Sequence, residues 1–237
     1  MPPLKDEIAL DVYCLIPYRT AALCRVAPEQ ENAPRNREIV FAFKNGRAMR
    51  RAYGGHSFHS LSARMVKACG ESPLGGPAAA GTVWVPVPRS GASQPSTDPG
   101  SDPYPCWTLA KWLAARLGGG ARQLLDRRSP PAGKRHVQAA IDTLELAEPL
   151  PSPARIVLVD DVCTSGSTLA SCAAFLRDRG YQGTIAAFCV AYDVAQALAD
   201  QVQPRKTTWR VTWSPDRPRS TTELVGPWDR APGGRRP

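Results

Sequence analysis

A chain of 237 residues with 43% hydrophobic side chains can bury one sizeable core, while 24 prolines and 19 glycines assign part of its length to loops or tails. Seven scattered cysteines without a C-x-x-C pair exclude a disulfide framework and a zinc ribbon. Asp6, Glu7 and Asp11 stand where a signal peptide needs an apolar core, and no run reaches the ~18 apolar residues of a membrane span, so reduced thiols and a cytoplasmic location are expected.

The net charge of +9 is uneven: residues 201–237 hold eight basic residues against three acids, or +5, leaving +4 on the rest. A solvated basic extension is the favoured reading of that tail, with a nucleic-acid arm as the competing one.

In chain order, residues 12–18 and 39–43 read as short strands, the second running into the turn Lys44-Asn45-Gly46. Ser57 opens a helical pattern with Phe58, Leu61, Met65 and Cys69 on one face, and Gly70 closes it. Residues 82–87 form a buried strand. The stretch 89–105 (RSGASQPSTDPGSDPYP) is a long loop of the kind that is functional or disordered. Residues 107–117 are an amphipathic helix with Leu109, Leu113 and Leu117 inward and Lys111 and Arg116 outward. Residues 142–146 alternate as a strand, the other reading being a helix over 137–144.

Residues 155–160 form a strand whose Ile-Val-Leu-Val run suits a parallel sheet covered on both faces. A helix over 167–179 ends at Gly180, and 184–192 is the next strand, which completes a βαβ unit. Trp209, Val211 and Trp213 alternate with polar residues as one last edge strand, before a disordered, proline-rich finish.

The chemistry concentrates after the central strand, in VLVDDVCTSGST. Ligands of open α/β sheets bind at the carboxyl ends of strands, where Asp160 and Asp161 fall. Thr164, Ser165, Gly166, Ser167 and Thr168 lead into the helix, so their N–H groups and hydroxyls converge on its positive end, which suits a phosphate. Carboxylates would repel that phosphate, and are better used on neighbouring sugar hydroxyls and as indirect partners of a divalent metal. One ligand with a ribose diol and a terminal phosphate satisfies both features. A Walker-type loop requires a lysine that is not present beside Gly166.

This stretch resembles the 5-phosphoribosyl-1-diphosphate (PRPP) signature of the type I phosphoribosyltransferases. The VPVP run before Arg89, and the K-x-G of Lys44 and Gly46, resemble the ComF-like branch of that family, and Arg127, Arg128, Lys134 and Arg135 fall where that branch has basic residues. The branch's four-cysteine zinc finger and its R-G-F-N segment after the first loop are missing here, and His56 and His59 read as surface or packing residues.

The resemblance implies an α/β fold with a mostly parallel sheet flanked by helices, divided as an N-terminal hood (1–38), a phosphoribosyltransferase-like core (39–200) and a basic C-terminal segment (201–237). It also implies transfer of phosphoribosyl from PRPP to a nitrogenous acceptor with Mg2+ as cofactor, Asp160 and Asp161 on the ribose and, indirectly, on the metal, and the residues from Thr164 to Thr168 on the 5′-phosphate. Arg89 is expected to act in catalysis, and Pro88, Arg89, Ser90, Arg127 and Arg128 are the diphosphate candidates. A homodimer is implied. Threonine at position 164, where 6-oxopurine transferases carry an acid, argues against hypoxanthine or guanine as acceptor. The competing reading is a non-catalytic PRPP- or nucleotide-binding protein of regulation or DNA uptake.

Overall fold

The computed structural model describes residues 7–19, 33–88, 104–130, 136–152, 155–193 and 205–228. Among them, a seven-stranded sheet runs through the molecule, with helices on both faces. Its strands, in chain order, are β1 (Ile8–Tyr18), β2 (Thr82–Pro86), β3 (Gly120–Ala121), β6 (Arg155–Cys163), β7 (Ile185–Asp193), β8 (Thr207–Trp213) and β9 (Thr221–Pro227), arranged β3-β2-β6-β7-β1-β8-β9. The first five in that spatial order are mutually parallel, and β8 and β9 add antiparallel at one edge. A separate antiparallel pair joins β4 (Leu125–Arg127) to β5 (Leu144–Leu146). The expected α/β class, with a mostly parallel sheet flanked by helices, is the observed one.

Helices α1 (Ala33–Lys44), α2 (Phe58–Gly70) and α3 (Pro105–Leu117) cover one face, where Phe43, Met65 and Leu113 pack on Val157, Val159 and Phe188. Helices α4 (Val137–Ile141) and α5 (Ser167–Asp178), with the β4–β5 pair, cover the other, against Ile156, Leu158 and Ala187. Alternate residues of β6 and β7 thus enter two different cores, which is why both strands are apolar almost throughout. Ser57 caps α2 by accepting from the Ser60 N–H at 3.2 Å.

Three local expectations are corrected. Residues 39–43 are helix, not strand: Asn36, Val40 and Phe43 are buried at helical spacing, whereas Phe41 is 50% exposed. Residues 142–146 are strand only from Leu144, after the short α4. The strand at Trp209 is not the edge, because β9 pairs with its outer side. The residues assigned to a hood supply β1 to the sheet interior, between β7 and β8, and the segment after residue 200 supplies two further strands of the same sheet.

Candidate active site

The site begins where one strand stops and its neighbour continues. β2 pairs with β6 as far as Pro86 opposite Val159, and the Val87 N–H donates to the Val159 carbonyl at 2.9 Å. Pro88, which is buried, has no N–H with which to prolong the ladder. β6 itself continues along β7 to Cys163, opposite Tyr192. Asp160 and Asp161 therefore lie inside β6, not at its end as the sequence suggests, on a length of strand that β2 has ceased to cover.

Side-chain alternation separates the two carboxylates. Asp160 follows Ile156 and Leu158 towards the α5 face, and Asp161 follows Val157 and Val159 towards the α1 face. There the Lys44 ammonium lies 3.5 Å from Asp161 Oδ2. Lys44 is in the last turn of α1, which ends in a Schellman arrangement: the Gly46 N–H bonds the Phe43 carbonyl, the Arg47 N–H bonds the Ala42 carbonyl, and Gly46 has φ 61°. The K-x-G segment is thus a helix stop that delivers a cation to the site.

Asp160 is half-buried, and its Oδ1 accepts from the Asp161 N–H at 2.8 Å. Burial, then the neighbouring Asp161 carboxylate, push its carboxyl up to about 8, against the pull of that N–H, Lys44 and Arg127. A carboxyl so placed holds its proton to higher pH than a free aspartate, and can donate it to a sugar hydroxyl.

The loop after β6 opens outward at Thr164, which is exposed, and inward at Gly166 and Ser167, which are buried. Gly166, at φ 71°, precedes α5, and its carbonyl receives the Ala170 N–H at 2.8 Å. The Ser167 hydroxyl turns into the protein, 2.9 Å from Ser165 Oγ and 3.0 Å from Ser220 Oγ. Thr164, Ser165 and Thr168 keep solvent-accessible surface.

Of the basic candidates, Arg127 donates from one guanidinium nitrogen to Thr143 Oγ1 at 2.6 Å and to the Ala140 carbonyl at 3.4 Å, and contributes to the field at Asp160. Arg128 points to Glu145 on the paired strand, at 2.6 Å, and is exposed. Arg89, Ser90, Lys134 and Arg135 lie outside the described residues. His59 is exposed, its ring tilted by 52° against that of Trp112 with centroids 5.5 Å apart, a surface packing role. Among the described residues, no group of three or more His, Cys, Asp or Glu could hold a metal ion, six cysteines are free, and no helix is long and apolar enough to cross a membrane.

The partners that sequence reasoning missed come from far along the chain. Ser220, Val211 and Thr222 stand behind the loop, and Thr143 positions Arg127; none carries a motif, and only the path of the sheet brings them here.

The family model of the phosphoribosyl transferase domain matches residues 104–217. Over 71 residues, 30% of this chain, the sequence is 38% identical to a ribose-phosphate pyrophosphokinase of Hyphomonas neptunium, and the match spans 20% of that protein's length. Among solved structures, an adenine phosphoribosyltransferase aligns with 62% of this chain and 77% of its own at 11% identity and TM-score 0.34. A hypoxanthine phosphoribosyltransferase from Staphylococcus aureus aligns with 68% of this chain and 76% of its own at 12% identity and TM-score 0.30. Residues 104–217, which contain β6, both its carboxylates and the loop into α5, thus match the phosphoribosyl transferase domain, while β1, β2 and β9 lie outside the match.

Proposed function

We propose that this chain binds PRPP with Mg2+ and transfers the phosphoribosyl group to a nitrogenous acceptor, releasing diphosphate. The observation that carries this reading is the order of groups along one uncovered piece of strand: Asp160 and Asp161, then a hydroxyl-rich loop that enters the N-terminus of α5. The domain match over the same residues supports it.

In this reading the hydroxyls of Thr164 and Thr168, with the loop N–H groups, that of Ser165 included, hold the 5′-phosphate, and the carboxyls of Asp160 and Asp161 receive the ribose hydroxyls. With both ends of the sugar fixed, the acceptor nitrogen's lone pair meets C1 in line with the departing oxygen. The N–C1 bond forms, the C1–O bond breaks, and diphosphate leaves with the electron pair. A protonated Asp160 reduces the negative charge facing the polyanionic substrate, and Lys44 offsets that of Asp161.

The oxygen-donor pair Asp160 and Asp161 suits Mg2+ held through substrate hydroxyls or water. Bound there, the ion would neutralise charge on the leaving diphosphate. VPVP and K-x-G support placement near the ComF-like branch.

The commitment of Arg128 to Glu145 and of Arg127 to Thr143 favours a second reading, a protein that binds PRPP or a nucleotide without turnover. Diphosphate release measured against a panel of bases separates the two. Base-dependent release is expected of the transferase, and PRPP binding with no release from any base would leave the binding protein.

A further inference from the structure

Residues 214–220 connect β8 to β9 and carry the chain across the back of the loop that follows β6. The contact is specific at both ends. The Pro218 carbonyl accepts the Val137 N–H at 3.1 Å, at the start of α4. The Ser220 hydroxyl, itself buried, donates to the Ser165 carbonyl at 2.6 Å. Beside it, a Cβ on Gly166 would stand 2.6 and 2.7 Å from the two Val211 methyls and 3.2 Å from the Thr222 methyl. The hairpin and the loop are in full contact.

The hydroxyl protons have one consistent direction. A carbonyl cannot donate, so Ser220 spends its proton on the Ser165 carbonyl, Ser167 donates to Ser220, and Ser165 donates to Ser167. The backbone consequence matters more. In a trans peptide the C=O and the following N–H point in opposite directions, and no cis bond occurs among the described residues. With the Ser165 carbonyl held towards the hairpin, the Gly166 N–H is aimed away from it. Glycine at φ 71° offers little resistance to rotation of that peptide. Without Ser220, the plane is free to turn its carbonyl to where an anion would sit.

We infer that Ser220 is a positioning residue for the phosphate loop: by anchoring the Ser165 carbonyl from the β8–β9 hairpin, it sets the Gly166 N–H in the anion-binding direction. The inference rests on the PRPP reading for the identity of the ligand. Ser220 and β9 fall beyond the segment that matches the phosphoribosyl transferase domain, so this support is built by the chain's own C-terminal strands.

The test compares the full chain with Ser220→Ala, Ser220→Cys and Ser220→Thr. Calorimetry with PRPP and with ribose 5-phosphate measures affinity, hydrogen exchange of the peptide covering residues 164–170 reports the loop, and thermal unfolding reports the fold. Ser220→Ala and Ser220→Cys are expected to lose about 5- to 20-fold in affinity for both ligands and to exchange faster in that peptide, and Ser220→Thr to restore both. Inorganic diphosphate, which has no 5′-phosphate, should bind all four proteins alike. If Ser220→Ala keeps its ribose 5-phosphate affinity within twofold, or exchanges its loop amides at the parental rate, the inference is overturned while the PRPP reading stands. Equal losses for diphosphate and ribose 5-phosphate reduce Ser220 to general stability and overturn it too. Failure of the unsubstituted chain to bind PRPP overturns the functional reading, and this inference with it. Ser220→Cys keeps the side-chain volume should Ser220→Ala unfold.

Discussion

Replacing Gly166 with alanine tests whether β8 packs against the loop after β6. The left-handed backbone at φ 71° costs an alanine about 1 kcal/mol. The new methyl would also meet the two Val211 methyls at 2.6 and 2.7 Å, well inside contact distance. Val211 is fully buried in the sheet, so relief requires the hairpin to shift, and overpacking of this kind costs about 1–3 kcal/mol. Gly166→Ala should therefore destabilise by about 2–4 kcal/mol. Val211→Ala alone should cost about 2 kcal/mol through the lost burial and the cavity, yet it removes the atoms that the new methyl strikes. In a double-mutant cycle by urea unfolding, the pair should be about 1–2 kcal/mol more stable than the sum of the single changes. Additivity within about 0.5 kcal/mol would refute the packing of β8 on this loop, and with it the account of how the C-terminal hairpin supports the site.

Two further predictions concern carboxyls whose titration the fold shifts. Burial and Asp161 raise the Asp160 carboxyl from 3.8 to about 8, so between those values the folded chain retains a proton that the unfolded chain has released. This group therefore makes stability fall as pH rises from about 4 to about 8, by at most roughly 1.4 kcal/mol per pH unit. Asp160→Asn should gain on the parent chain over that range in denaturation at pH 5, 6, 7 and 8, and parallel curves would contradict the assignment. Glu38 is the opposite case: burial pushes its carboxyl up, but the hydrogen bonds from the Arg47 side chain and the Arg50 N–H, with the charges of both arginines, bring it below 4.5. Its stabilisation is complete above pH 4.5 and is lost as pH falls through the lowered value. Glu38→Gln should cost about 2–3 kcal/mol at pH 7, a figure reduced because Arg50 is largely exposed, and the difference should shrink at pH 4; a constant difference would indicate a neutral packing effect.

The parts of the fold legible from sequence are those in which local pattern and tertiary environment agree. β6 and β7 read as continuous apolar runs because both faces are buried, and α2 and α5 carry their own start and stop residues. The stretch 39–43 does not read as a helix because IVFAF satisfies a strand window by itself; the helical signal lies upstream, in Pro34 in the first turn and the Asn36-Val40-Phe43 spacing. β9 reads as tail because Thr-Thr-Glu-Leu-Val-Gly-Pro is short and ends in breakers, and its outer edge leaves Leu224 and Val225 exposed. The acidic pair and the hydroxyl loop are local in sequence and legible there. Ser220 lies 55 residues from Ser165, and Lys44 over a hundred from Asp161, separations across which single-sequence patterning is silent.

Calorimetric titration of PRPP with Mg2+ into the full chain, beside an Asp160→Asn/Asp161→Asn double variant shown by thermal unfolding to be folded, tests the central claim most directly. The account predicts micromolar binding by the parent chain and its loss in the variant. No PRPP binding by the parent chain, or equal binding by both proteins, would contradict it.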